Sequence, residues 1–335
     1  MESFEYNKVS TIDEAFDLLG KYGTSAKLLA GDSDLILMMR QQAIAPSHLI
    51  DLKGIANLSS IKQVGDVLVI GTLVTLRDIE KSELIATKFP ALTDGVRKVA
   101  SVQLRNIATI GGNLCQAVKC PYYNQSHVNR FMKQSINPCF RRGGNECHVV
   151  NWGSDANNII VGKSYCKAPL ASDIAIVLAV LGGSVEMVSR NSSREINVAD
   201  LYKYDSALKI KPGEILTQIK IPISNHVASF LVHKPSPVGY SSASVAVSLS
   251  INKETCKDIR VYLGGVAPQP YKAKKVEDHI RGQKLDEEII EGSAQLLFKE
   301  TRVTNNAMMF KIAKSRDLCR EALISAWQKS QGGRK

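Results

Sequence analysis

The sequence predicts an α+β protein with two parts, a two-lobed ligand-binding domain over residues 1–222 and a smaller α+β domain over residues 226–330. Three observations support this prediction. Short apolar strands alternate with amphipathic helices in the first part, and two of these strands run into glycine-rich turns. In the second part, three strands and several helical patterns are typical of a small three-stranded sheet covered by helices.

The composition is that of an ordinary globular protein, with 44% hydrophobic and 22% charged residues in a chain of 335. The sequence has neither a long apolar run nor a basic and then apolar N-terminus, so we expect a cytoplasmic protein without a membrane span. The net charge of +11 indicates a solvated basic surface or a docking surface for an acidic partner protein. Dispersed basic residues and 6% aromatic residues argue against nucleic-acid binding.

The first glycine-rich turn follows a helix and a strand. Residues 11–22 have the periodicity of an amphipathic helix, which Thr11 and Glu14 begin as a capping box. Residues 27–30 form a short apolar strand, residues 31–34 a turn, and residues 35–40 the start of a helix. A strand, a glycine turn and a helix start together form a generic anion cradle, although a plain structural turn has the same pattern.

The second glycine-rich turn lies at residues 109–113. It comes after predicted strands at residues 48–52 and 67–71 and predicted helices at residues 75–81 and 91–100. Two such turns after short strands predict one extended, phosphate-bearing ligand held between two lobes.

A cysteine-rich segment then interrupts the alternation of strands and helices. Its cysteines have the spacing Cys120-x18-Cys139-x7-Cys147-x18-Cys166, in a polar stretch that is long for a loop. Without a secretory signal, clustered thiols indicate a metal site rather than disulfides. The absence of a short C-x2–4-C pair favours an iron–sulfur cluster over zinc, and scattered buried thiols are the structural alternative. Cys115 is expected to be a packing residue of the second turn.

Regular patterns return after this segment. Residues 171–181 predict a strongly apolar helix, and residues 185–188 and 216–221 predict strands of the first domain. In the second domain we predict strands at residues 230–233, 243–251 and 259–266, and helices near residues 272–280, 286–299 and 307–327.

Five motifs, in order along the chain, resemble those of the FAD-binding subunits of the molybdenum hydroxylases, the xanthine dehydrogenase and carbon monoxide dehydrogenase family. They are Leu29-Ala30-Gly31-Asp32-Ser33-Asp34-Leu35, Ile70-Gly71-Thr72-Leu73-Val74-Thr75, Arg105-Asn106-Ile107-Ala108-Thr109-Ile110-Gly111-Gly112-Asn113-Leu114, Pro169-Leu170-Ala171-Ser172-Asp173 and Leu263-Gly264-Gly265-Val266-Ala267-Pro268. The resemblance covers nearly the whole chain. It implies a two-lobed FAD-binding domain of the PCMH type, followed by a small three-stranded α+β C-terminal domain.

The resemblance also implies which residues bind FAD. The turn at residues 31–34 would face the pyrophosphate, the turn at residues 109–113 would hold the second phosphate and the ribityl chain, and Asp173 and Lys234 would lie near the flavin. The complete implied set is Leu29, Ala30, Gly31, Asp32, Ser33, Asp34, Leu35, Thr72, Thr109, Gly111, Gly112, Asn113, Asp173 and Lys234. Asp32 stands where the family has glycine, so its carboxylate is expected to point away from the pyrophosphate.

The cysteine segment, an insertion at residues 115–168, resembles two branches of this family. The run Lys119-Cys120-Pro121-Tyr122-Tyr123-Asn124-Gln125-Ser126 is similar to the β subunit of 4-hydroxybenzoyl-CoA reductase, in which the segment holds a [4Fe–4S] cluster. The longer interval between Cys147 and Cys166 keeps open a second cluster-bearing branch, the FAD subunit of bacterial periplasmic aldehyde oxidoreductases. The implied ligands are Cys120, Cys139, Cys147 and Cys166, with Cys115 as an alternative fourth ligand to Cys166.

The function implied by the resemblance is electron transfer within a heteromeric oxidoreductase. The partners would be a molybdopterin-binding large subunit, a [2Fe–2S] small subunit and an external carrier such as a ferredoxin, in a dimer of heterotrimers. A 4-hydroxybenzoyl-CoA reductase-like enzyme is the first interpretation. The alternatives are an aldehyde, purine or N-heterocycle hydroxylase and, in a different class, a zinc-stabilised interaction module.

Overall fold

The computed structural model describes residues 1–124, 138–145, 147, 166–203, 207–301 and 306–332. These residues form three sheets, whose strand orders are β1-β3-β2, β4-β5-β8-β6-β7 and β12-β11-β10-β9. Among the helices of this part of the chain, none is both long enough and apolar enough to cross a membrane.

The first lobe is a small parallel sheet with two helices. Its elements are β1 (Glu5–Lys8), α1 (Ile12–Tyr22), β2 (Ala26–Leu29), α2 (Leu35–Arg40) and β3 (His48–Asp51). Thr11 caps α1 by accepting a hydrogen bond from the Glu14 N–H, as predicted. Because the three strands are parallel, their carboxyl ends lie at one edge of the sheet, where β2 runs into the first glycine turn.

The second lobe is an antiparallel sheet with helices packed against it. Its strands are β4 (Ile61–Val64), β5 (Val67–Gly71), β6 (Ser184–Ser189), β7 (Ser192–Asn197) and β8 (Ile215–Pro222). Its helices are α3 (Leu76–Lys81), α4 (Glu83–Lys88), α5 (Pro90–Arg97), α6 (Val102–Arg105), α7 (Ile110–Cys115) and α9 (Asp173–Val180), whereas α8 (Pro121–Asn124) lies in the cysteine segment. Every residue of α9 is buried, which explains the uninterrupted apolar sequence that follows Asp173.

The C-terminal domain is an antiparallel sheet with helices on one face. It contains β9 (Val227–His233), β10 (Ala243–Asn252), β11 (Thr255–Gly264), β12 (Tyr271–Lys272), α10 (Lys274–Ile280), α11 (Glu287–Glu300) and α12 (Asn306–Gly332). The predicted α+β class, with a two-lobed domain followed by a smaller one, is confirmed. The sheet has a fourth strand, β12, in addition to the three predicted. It was missed because its two residues are too few to show a period.

The two domains share a hydrophobic core. Residues of α5, α9 and the second-lobe sheet belong to the same cluster of buried side chains as Ala228, Phe230, Ala246 and Tyr262 of the C-terminal sheet. The opposite face of that sheet packs against α10, α11 and α12. This packing brings the loop between β9 and β10 close to the N-terminus of α9, where Ser241 donates a hydrogen bond to Asp173.

Candidate functional site

The glycine motifs, distant in sequence, meet at one place between the lobes. A β-carbon on Gly31 would lie 2.2 Å from the carbonyl oxygen of Ile107 and 2.9 Å from the Thr109 nitrogen. A β-carbon on Gly111 would lie 2.6 Å from the Thr72 Cβ, and the Gly111 N–H donates to the Thr72 carbonyl at 3.0 Å. These backbone segments therefore touch directly, which requires glycine at both positions.

The first turn contains an acidic residue in a left-handed conformation. Asp32 has φ of +63°, a region that Asp tolerates better than most residues. The Lys53 ammonium lies 3.2 Å from the Asp32 carboxylate and donates to the Ala30 carbonyl at 3.2 Å. Lys53 also contacts Asp51 at 3.1 Å. The Asp32 carboxylate is thus paired with a cation of the same sheet edge.

Hydrogen bonds hold the second turn beside the start of α9. Thr109 caps α7 by accepting from the Gly112 N–H at 3.1 Å. The Asn113 side-chain oxygen accepts from the Ser172 hydroxyl at 2.7 Å, and Ser172 in turn caps α9 by accepting from the Ala175 N–H at 3.1 Å. The motifs at residues 105–114 and 169–173 therefore form one connected structure.

A cleft of about 140 Å³ lies between these turns and the C-terminal domain. Six of the residues implied by the resemblance line it: Ser33, Asp34, Gly112, Asn113, Asp173 and Lys234. The others, Leu29, Ala30, Gly31, Asp32, Leu35, Thr72, Thr109 and Gly111, build the turns and their supports rather than the cleft wall. The wall also contains residues outside that implied set: Val99, Ala100, Leu104, Ala108, Gln116, Lys119, Ala171, Val238, Gly239 and Tyr240.

Two ionisable groups at the end of the cleft that faces the C-terminal domain have pKa values shifted in the direction that favours their neutral forms. Burial raises the pKa of Asp173, whose carboxylate accepts from the Ser241 hydroxyl at 2.6 Å. Burial lowers the pKa of Lys234, whose ammonium donates to the carbonyls of Lys98 and Pro237. Because Asp173 is buried here, this end suits an uncharged ring with polar edges better than a phosphate. That chemistry fits an isoalloxazine.

The four cysteines predicted as ligands line a single cavity. Cys120, Cys139, Cys147 and Cys166 share it with Tyr122, Tyr123, Phe140 and Arg141. Cys115 is not among its lining residues, whereas Cys256 and Cys319 are buried in the core of the C-terminal domain. Residues 125–137, 146 and 148–165 of the cysteine segment lie outside the described residues.

Burial disfavours charged thiols in this cavity. Burial raises the pKa of the Cys120 thiol, and the nearby Cys166 and Cys139 raise it further. Thiolates there need compensating charge, which a bound metal supplies. Arg142 donates from Nε to the Tyr123 carbonyl at 2.7 Å, and its buried Nη2 has no hydrogen-bond partner among the described residues.

The arrangement does not suit a single ion. Within the described ranges, no group of three or more His, Cys, Asp or Glu side chains converges as the ligands of one metal ion do. Zinc requires its ligands at about 2.0–2.3 Å from one point. A cluster with its own bulk holds its thiolates farther apart than a single ion does.

Comparisons with known protein families agree with this geometry. Residues 2–224 match the FAD binding domain in molybdopterin dehydrogenase, and residues 237–330 match the CO dehydrogenase flavoprotein C-terminal domain. The aldehyde oxidoreductase FAD-binding subunit PaoB of Escherichia coli is 30% identical, over 83% of this chain and 86% of its own length. The glyceraldehyde dehydrogenase medium chain of Sulfolobus acidocaldarius is 23% identical, over 87% and 85%.

A solved structure has the same fold. The structure of the Cu,Mo-CO dehydrogenase in its cyanide-inactivated form aligns with a TM-score of 0.77 over 98% of both chains, at 24% identity. The predicted family and its FAD cofactor are confirmed by the two domain matches and by PaoB. The chain therefore belongs to the FAD-binding subunits of the molybdenum hydroxylase family of oxidoreductases.

Proposed function

We propose that this chain is the electron-transfer flavoprotein subunit of an aldehyde-oxidising molybdenum enzyme, with FAD in the cleft and a [4Fe–4S] cluster on Cys120, Cys139, Cys147 and Cys166. The observation that carries the proposal is the shared cavity of the four thiols, which belongs to the same fold as the FAD cleft. When bound, FAD converts two-electron into one-electron chemistry and the cluster passes single electrons.

The relatives favour one of the two branches that the cysteine segment resembles. PaoB and the glyceraldehyde dehydrogenase chain are both named for aldehyde substrates, which supports the aldehyde oxidoreductase branch. A 4-hydroxybenzoyl-CoA reductase-like enzyme is the second candidate, and the Tyr122-Tyr123 pair beside Cys120 supports it. Substrate chemistry in either case would occur on a partner subunit.

The chain's own residues bind and orient the cofactors in this proposal. The turns at residues 31–34 and 109–113 hold the pyrophosphate between the lobes, and Asp173 and Lys234 contact the flavin edge. The partners would be a molybdopterin-binding large subunit and a [2Fe–2S] small subunit, in a dimer of heterotrimers. A net charge of +11 supports docking of an acidic electron carrier such as a ferredoxin.

The first experiment is a visible spectrum of anaerobically purified full chain, with flavin and iron assays. We expect flavin bands, broad absorbance at about 400 nm and about four irons per chain. Cys139→Ser should lower the iron content, whereas Cys319→Ser, in the core of the C-terminal domain, should leave it unchanged. Flavin without iron, or iron that survives Cys139→Ser, would overturn the cluster assignment.

The substrate class is tested on the complex. Co-expressed with its partner subunits, the enzyme should show bleaching of the FAD absorbance when an aldehyde is added anaerobically. Bleaching by a purine or an N-heterocycle, without a response to aldehydes, would assign a different hydroxylase. Reduction of 4-hydroxybenzoyl-CoA by the complex with reduced ferredoxin would support the second candidate instead.

A further inference from the structure

The carboxylate of Asp34 does not make the helix-capping hydrogen bond that its position suggests. Asp34 is the N-cap residue of α2, where an aspartate commonly accepts a hydrogen bond from the first helical turn. Within the described chain it makes no such bond. Its carboxylate instead accepts from the Ala117 N–H at 2.8 Å and from the Lys119 ammonium. The FAD turn is thereby bonded to the segment that leads into the cysteine cavity.

Lys119 occupies the junction between the two sites. It immediately precedes Cys120, it lines the FAD cleft, and its ammonium lies 5.4 Å from the ring centre of Tyr240 on the cleft wall. The side chains of Lys119 and Asp34 are 13% and 18% exposed, so their ion pair is shielded from bulk water. A shielded pair interacts more strongly than a surface pair.

A second contact joins the same two sites through α2. Met38, one turn into this helix, belongs to the apolar cluster that includes Cys120, Cys139 and Cys166. The Tyr123 hydroxyl lies 3.9 Å from the Met38 sulfur. The helix that begins at the FAD turn therefore packs directly on the wall of the cysteine cavity.

We propose that the Asp34–Lys119 ion pair couples occupation of the FAD cleft to formation of the four-cysteine cavity. An anionic pyrophosphate beside Asp34 is repelled unless Lys119 neutralises the carboxylate, so FAD favours the paired state. The paired state fixes residues 117–119 and thereby the position of Cys120. By thermodynamic linkage, metal bound in the cavity strengthens FAD binding by the same factor by which FAD strengthens metal binding. The inference rests on the proposed function.

Thiol reactivity of the metal-free full chain tests the coupling without a loaded enzyme. Cys120, Cys139, Cys147 and Cys166 are alkylated with iodoacetamide, with and without saturating FAD, and the rates are read from peptide masses. The core thiols of Cys256 and Cys319 serve as internal references. We expect FAD to slow alkylation of the cavity thiols by about fivefold or more.

Variants separate coupling from simple FAD affinity. Lys119→Met should need more FAD to reach saturation, because the Asp34 carboxylate is then unneutralised. Both Lys119→Met and Asp34→Asn should lose the protection of the cavity thiols at saturation. Lys119→Arg keeps the charge and should keep the protection. Lys53→Met is the matched control, because Lys53 pairs with Asp32 of the same turn but lies outside the contacts to residues 117–120. It should weaken FAD binding and still show protection.

The outcomes distinguish this inference from the function on which it rests. A wild-type chain that binds no FAD overturns both. A chain that binds FAD overturns the coupling alone if FAD leaves the cavity thiols equally reactive, or if Lys119→Met is protected as well as wild type. Circular dichroism must show that each variant is folded. If Lys119→Met does not fold, Asp34→Asn still allows the coupling to be refuted.

Discussion

The ammonium of Lys53 lies 3.2 Å from the carboxylate of Asp32, the residue that stands at φ +63° in the first glycine turn. Their side chains are 44% and 40% exposed, and a pair this exposed contributes little to folding stability. Its consequence is electrostatic, because without Lys53 a negative charge in the turn would face an anionic pyrophosphate. The aspartate of this turn is thus accompanied by its own counter-charge.

Lys53→Met should weaken FAD binding by about tenfold, or about 1.4 kcal/mol, because Asp32 is left unneutralised. The FAD-free chain should also lose about 1–3 kcal/mol of unfolding free energy, because the buried Asp51 carboxylate loses its contact with Lys53 at 3.1 Å. Titration of flavin fluorescence and chemical denaturation measure the two quantities. In the double variant with Asp32→Gly the affinity should recover, since the carboxylate is gone. Equal affinity of wild type and Lys53→Met at low ionic strength would refute this role.

The sequence predicted those features of the fold that have a local physical signature. The apolar run of α9 and the Thr11 cap of α1 were both indicated by residue type and spacing. Glycines 31 and 111 indicated turns, although not that a β-carbon on either would collide with a distant backbone segment. Cysteine clustering indicated a metal-type cavity, but the spacing carried no information on whether the thiols meet.

Other features had no signal in the sequence. Strands β1, β4 and β7 were missed because most of their side chains are exposed, so they lack an apolar alternation. The cleft residues Lys119 and Tyr240 come from segments far apart in sequence, and no local pattern marks them as neighbours. Such residues are brought together by tertiary packing, which a pass along the chain does not show.

Gly31→Ala should destabilise the chain and abolish FAD binding. The added β-carbon would lie 2.2 Å from the Ile107 carbonyl oxygen, so the two turns must separate. Overpacking of this kind costs about 1–3 kcal/mol. Gly20→Ala in α1 is the control, because its β-carbon meets no atom within 4 Å, and it should be neutral or stabilise by about 0.5–1 kcal/mol. Denaturation midpoints and FAD titration give the comparison, and unchanged FAD affinity in Gly31→Ala would contradict the proposed contact of the turns.

Arg105, which begins the motif at residues 105–114, should be required for stability. Its buried guanidinium donates to Glu80 at 3.2 Å and to the Val99 carbonyl at 3.0 Å. Arg105→Met would remove buried hydrogen bonds to Glu80 and to the Val99 carbonyl, while Arg77 still pairs with Glu80 at 3.0 Å, so we expect a cost of about 1–3 kcal/mol. Arg97→Met is the control: Arg97 is 55% exposed and 3.9 Å from Glu80, so its loss should cost less than about 1 kcal/mol. Similar losses for both variants, measured by urea denaturation, would mean that the ion pair of Arg105 is not special.

The pH dependence of stability should reveal the buried carboxyl of Asp173. Burial raises its pKa, so the folded state favours the protonated form more than the unfolded state does. The contribution to stability is therefore complete below the unfolded pKa of about 4 and is lost as the pH rises through the raised folded value. Asp173→Asn removes this loss. The variant of the FAD-free chain should gain stability relative to wild type as the pH rises from about 4 to about 8.

Ser241→Ala should change the dependence of stability on pH in the direction opposite to Asp173→Asn. The Ser241 hydroxyl donates to Asp173 at 2.6 Å and lowers its pKa against the effect of burial, so its removal penalises the carboxylate further. Relative to wild type, Ser241→Ala should lose more stability at high pH than at low pH. In the Asp173→Asn background the pH dependence of this loss should disappear, because no carboxylate remains to be stabilised. Parallel curves of melting temperature against pH for all three variants and wild type would show that Asp173 ionises with the same pKa in the folded and unfolded chain, contrary to its burial at the start of α9.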